Sequence, residues 1–152
     1  MRPQRTKEEL ADAAAHLQYE FWMLVQVAQA IASGIAERGW LANALLESFV
    51  IHFRSLVDFF YPSVSAKVDD VLASDYFGSP DDWARIRPLL SETLTAGKAR
   101  AHKEIAHLTY ARLVVTPETK PWAVIELAKE IEILMTLFNS TVCQMSDSKA
   151  SP

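Results

Sequence analysis

Between Lys98 and Arg112 the sequence gathers four Lys or Arg residues, one Glu and two of the four histidines of an otherwise acidic chain. These residue types can handle a phosphate. A guanidinium grips an oxyanion through two parallel N–H bonds and stabilises charge that develops on it. An imidazole titrates near neutrality and can move a proton to or from an attacking or leaving oxygen. Arg100, Lys103 and His107 are three and four residues apart, the spacing that puts side chains on one face of a helix. Arg100 and His107 are the candidate catalytic pair, with His102, Lys103 and Arg112 as candidate substrate-binding groups. The competing reading is a solvated charged flank with a histidine near a helix carboxyl end, where the helix dipole favours it.

A second constellation is His52-Phe53-Arg54-Ser55-Leu56-Val57-Asp58. Arg54 and Asp58 are four apart and can pair along a helix. His52 falls on an apolar stripe, which favours a hydrogen-bonded core histidine; the functional alternative puts His52, Arg54 and Asp58 in the cleft beside Arg100. A metal site is not expected. Glu104-Ile105-Ala106-His107 is one Glu-x-x-His pair, whereas a dinuclear site in a helical bundle needs two plus two further carboxylates. Cys143 is the only cysteine, which excludes zinc sites of the CxxC type and an internal disulfide and fits a reducing compartment. There is no glycine-rich phosphate loop and no cofactor motif.

The elements that must position these groups are helices. The chain has 152 residues, 50% hydrophobic and 22% charged, enough for one domain with a core of its own. Its formal charge of −4 argues against a general polyanion-binding surface. Leu10, Ala14, Leu17, Phe21, Leu24, Ala28, Ile31 and Ile35 recur every three or four residues. Thr6 and Glu9 form a capping-box pattern before them. A second helix is expected from about Trp40 to Phe60, ended by Tyr61-Pro62. It carries two adjacent apolar stripes, as a largely buried helix or one with a second interface does. Residues 61 to 79 read as a long irregular connection. Ser79-Pro80-Asp81-Asp82 opens a helix, and a third long helix is expected from about Pro88 to Arg112. A fourth runs from about Trp122 to Gln144 on Val124, Leu127, Ile131, Met135, Phe138 and Val142. The expected fold is all-α: an up-and-down bundle of four long helices, with one domain over residues 1–145 and a disordered tail over 146–152. No stretch approaches the roughly 20 apolar residues of a membrane span, so a cytoplasmic protein without a membrane partner is expected.

Arg100-Ala101-His102-Lys103-Glu104-Ile105-Ala106-His107, followed by Leu108-Thr109, resembles the motif of the HEPN superfamily (higher eukaryotes and prokaryotes nucleotide-binding). Members are helical bundles of about this length, and many carry an arginine followed after four to six residues by a histidine. The resemblance extends from the first helix to the fourth. It implies a metal-independent RNA endonuclease of a defence, stress or toxin–antitoxin type. Arg100 and His107 would act at the cleft of a homodimer, with RNA as substrate and an antitoxin or another protein as partner. Active members carry a polar residue directly after the arginine, whereas this chain has Ala101. The alternative is a non-catalytic HEPN-like dimer serving as a protein-interaction or nucleotide-binding module.

Overall fold

The computed structural model describes residues 3–106, 110–116 and 121–148. Among them the chain is all-helical, with five α-helices and no strand. These are α1 (Lys7–Ala32), α2 (Trp40–Phe60), α3 (Pro80–Ile86), α4 (Glu92–Arg100) and α5 (Val124–Ser148). No described helix is long and apolar enough to cross a membrane.

Local chemistry starts α1 and α3 as the sequence leads one to expect. The Thr6 hydroxyl accepts from the Glu9 N–H at 3.1 Å while the Glu9 carboxylate accepts from the Thr6 N–H at 2.8 Å. Both groups satisfy donors that a helix start leaves orphaned. At α3 the Ser79 N–H donates to Asp82 at 2.9 Å and Pro80 takes the first turn. Gly39 precedes α2 with φ +87°, a conformation that favours glycine.

The core is built on α2, whose Phe49, Val50, Phe53, Leu56, Val57, Phe59 and Phe60 are all buried. Both apolar stripes therefore face the chain's own core, and the breadth that could have indicated a second interface is used internally. α1 packs along α2, and α5 lies against α1, α2 and α4. From α5, Val124, Leu127, Ile131, Leu134, Met135 and Phe138 are buried. Phe138 is ringed edge-on by Phe59, Phe60, Tyr76, Phe77 and Trp83, at centroid distances of 5.2 to 6.1 Å. The carboxyl end of α2 leaves backbone carbonyls without helical partners. Trp83 Nε1 and Arg87 Nη1 both donate to the Phe60 carbonyl, at 3.0 and 2.6 Å. Lys98 Nζ donates to that of Tyr61 at 3.3 Å.

The largest departure from expectation concerns the third long helix. No α-helix begins at Pro88. α4 starts at Glu92 because Ser91 caps it, accepting from the Leu94 N–H at 3.0 Å and donating to Glu130 of α5 at 2.5 Å. After Arg100 the backbone widens into a π-helical turn, Ala101–Ala106, and a 3₁₀ turn covers Tyr110–Val114. Between α2 and α3, within the stretch expected to be irregular, one 3₁₀ turn forms over Ala73–Tyr76. α5 starts two residues after Trp122 and runs past Gln144 to Ser148.

Candidate functional site

Arg100 closes α4 at the point where the π turn begins. Its guanidinium is engaged on several sides. Nε and Nη2 donate to the two carboxylate oxygens of Glu104, each at 2.9 Å. Nη1 donates to the Pro121 carbonyl at 2.9 Å. Its central carbon lies 4.4 Å from the centre of the Trp122 ring, within cation–π range. The side chains of Arg100 and Glu104 are 27% and 20% exposed, so this fork-to-carboxylate pair is partly shielded from water. It joins α4 to the segment leading into α5.

The residue after Arg100 is a packing residue. Ala101 is fully buried, and a polar side chain there would have to be desolvated among core groups. His102 and Lys103 stand exposed on the π turn. The wider turn departs from the 3.6-residue phase that aligns positions three and four apart. The shared face expected for Arg100, Lys103 and His107 is therefore not set by α-helical geometry. His107 and the side chain of Arg112 lie outside the described residues. Among the described residues no group of three His, Cys, Asp or Glu side chains is placed to hold a metal ion.

The second constellation divides. His52 is buried and its Nδ1 lies 2.8 Å from Glu20 of α1, with Tyr19 edge-on at 6.0 Å. It acts as the core histidine of the α1–α2 contact. Arg54 and Asp58 turn to a different place, a half-open pocket of about 530 Å³ between α1, α2 and the chain following α2. Asp58 is shared: Lys98 Nζ of α4 approaches one carboxylate oxygen to 2.6 Å, while Arg54 Nε stays 3.6 Å from the other. The sequence showed the Arg54–Asp58 spacing. It gave no local signal for Lys98, forty residues on.

Burial pushes the Tyr61 phenol up, opposed by Arg87, whose guanidinium lies over the ring at 4.4 Å. Burial also pushes up Tyr76, whose hydroxyl donates to the Leu10 carbonyl at 3.0 Å. The hydrogen bond from the Thr6 N–H holds the Glu9 carboxyl below its usual value.

No family model matches the chain, and no curated protein and no solved structure is significantly similar to it.

Proposed function

We propose that the chain is a HEPN-like helical module whose function is association with a second copy of itself rather than RNA cleavage. In this reading α1, α2, the α4–π-turn unit and α5 are the four members of an up-and-down bundle. Residues 61 to 79 are its long connection, and the protein works in the cytoplasm. The observation that carries the choice is the state of Arg100. A guanidinium that anchors a phosphate must present its fork to the ligand. Here the fork is filled by Glu104 and the remaining edge is tied to Pro121. The buried Ala101 points the same way, because the position that is polar in active members belongs to the core here.

Support for self-association comes from α1 and the outer side of α2. Tyr19, Trp22 and Ile51 are 52%, 56% and 59% exposed, and the Tyr19 and Trp22 rings lie 6.4 Å apart. Exposed aromatic and aliphatic groups on adjoining helices are the kind of surface that a partner desolvates. Sedimentation should show a dimer that Trp22→Glu weakens, because the introduced carboxylate would be buried without a partner. An RNA cleavage assay run alongside should show no activity dependent on Arg100. A monomer at every concentration removes the association reading. Cleavage that is abolished by Arg100→Ala and by His107→Ala, and that is indifferent to chelators, replaces it with the endonuclease reading.

A further inference from the structure

The pocket beside Arg54 has no role in the association proposed above. Three stretches of chain form it. α1 contributes His16, Leu17 and Glu20, α2 contributes Arg54, Ser55, Asp58 and Phe59, and residues 62 to 72 arch across the gap. Hydrogen bonds hold the arch and the turn that follows it. Arg5 donates to the Val68 carbonyl, Tyr76 donates to the Leu10 carbonyl, and the Lys67 N–H is bound by Asp70 at 2.6 Å. A cavity of about 530 Å³ lies within the ~300 to 1,000 Å³ usual for small-molecule sites. Its floor is apolar, with Leu17 and Leu72 buried beneath it.

The charge arrangement at its α2 wall is unequal. Asp58 is one carboxylate between two cations, and Lys98 holds the shorter contact at 2.6 Å. Arg54 keeps a loose contact at 3.6 Å, and its side chain is 42% exposed. Asp58 is thus divided between two cations, and the donors of the Arg54 guanidinium have no closer partner among the described residues. The Ser55 hydroxyl and the His16 ring also line the pocket and make no hydrogen bond to a described residue. The other two carboxylates of the lining keep their charge but accept from other donors, Glu20 from His52 at 2.8 Å and Asp70 from the Lys67 N–H, and Lys67 adds a second cation to the lining.

From this arrangement we infer that the α1–α2 pocket binds a small organic anion, its acid group on Arg54 beside Ser55 and its apolar body on the Leu17–Leu72 floor. The acid group displaces a weak ion pair rather than a strong one, because Lys98 continues to neutralise Asp58. A carboxylate and a phosphate monoester share the required chemistry, two or more oxygens that accept from a guanidinium and a hydroxyl.

The test measures binding to the full chain, by calorimetry and by the shift in thermal midpoint, of benzoate, phenyl phosphate, inorganic phosphate and the cationic control benzamidine. Saturable binding of benzoate or phenyl phosphate is expected, and whichever binds more tightly identifies the acid group. Arg54→Gln should weaken it about tenfold or more. Lys98→Met should weaken it too, although Arg54 is untouched, because Asp58 then claims Arg54 for itself. Circular dichroism confirms that both variants are folded, and a variant that loses its helicity is replaced by Arg54→Lys or Lys98→Gln. Benzamidine binding as well as benzoate overturns the inference. So does anion binding that survives Arg54→Gln, inorganic phosphate binding as tightly as phenyl phosphate, or no saturable binding at millimolar concentration.

Discussion

Gly97 is buried where α4 faces Phe53 of α2 and Leu127 of α5, and replacing it by alanine tests how the whole α4 region is held. A Cβ on Gly97 would lie 2.8 Å from Leu127 Cδ2 and 3.0 Å from Phe53 Cζ. Both neighbours are buried, Leu127 at 2% and Phe53 at 0% exposure, so neither can swing into solvent. Two effects oppose each other. Alanine is favoured over glycine inside a helix by about 1 kcal/mol. Forcing an extra methyl into a packed core costs about 1 to 3 kcal/mol. The overlap is with two side chains and is several tenths of an ångström deep, so the packing cost should win. Gly97→Ala should then lower stability by about 1 kcal/mol, or about 2 to 4 °C in thermal midpoint for a chain of this size. The assay is urea unfolding followed by circular dichroism, with Leu127→Ala as second background. Removing Leu127 Cδ2 relieves the shorter contact, so Gly97→Ala should cost less there, by about 0.5 kcal/mol or more. Stabilisation of the wild-type background by Gly97→Ala would refute the close approach of α4 to α2 and α5. Equal effects in both backgrounds would show that Leu127 is not what the methyl meets.

Three further outcomes concern ionisation and the end of α2. Glu9 has its carboxyl held down by the Thr6 N–H, so its contribution is present above the ordinary carboxylate value and lost as pH falls through the lowered one. Glu9→Gln should therefore flatten the acid limb of the urea midpoint plotted against pH. Tyr61 and Tyr76 are pushed up, so their contribution is complete below about pH 10 and fades as pH rises through the raised values. Tyr76→Phe should flatten that alkaline limb. At the Phe60 carbonyl, Trp83→Phe removes the indole donor and leaves Arg87 in place, while Arg87→Met does the reverse. Each should cost about 1 kcal/mol for the hydrogen bond, on top of any packing loss for Trp83. The two together should cost more than their sum, since only then is the carbonyl orphaned; strict additivity in denaturant unfolding would show that the two donors are not alternatives.

What was legible in the sequence was what neighbouring residues decide. The capping box of Thr6 and Glu9 and the opening at Ser79-Pro80 are contacts over three residues, and both are present. The α5 stripe from Val124 to Phe138 is buried because a long apolar periodicity leaves few alternatives. The third helix was misread because distant partners set its limits. Pro88 is a sound local start signal, yet Ser91 caps α4 with Glu130 holding its hydroxyl from the other side of the chain. The π turn lies in residues whose three-and-four spacing reads as a continuous α-helix. The same contrast divides the Arg100 site. Glu104, four residues on, was within reach of sequence reasoning, whereas the Pro121 carbonyl and the Trp122 ring arrive from twenty-one and twenty-two residues away.

Lys98 shows why a pattern of spacing alone misses the arrangement around Arg54. As part of the basic run from Lys98 to Arg112 it adds to the positive charge of a candidate phosphate-binding face. In the fold it points away from that role: its ammonium bridges the Tyr61 carbonyl at the end of α2 and the Asp58 carboxylate. With one cation it satisfies a helix terminus, anchors α4 to α2 and weakens the hold of Asp58 on Arg54. The net effect is to leave Arg54, in the pocket between α1 and α2, more loosely held than Arg100 on α4, whose fork Glu104 fills. Two features read separately in the sequence, the basic segment and the His52–Asp58 constellation, are thus joined through a single side chain. For that reason Lys98→Met is more informative than a substitution within the pocket. It leaves every lining residue in place and, besides freeing the Tyr61 carbonyl, changes how Asp58 divides its charge.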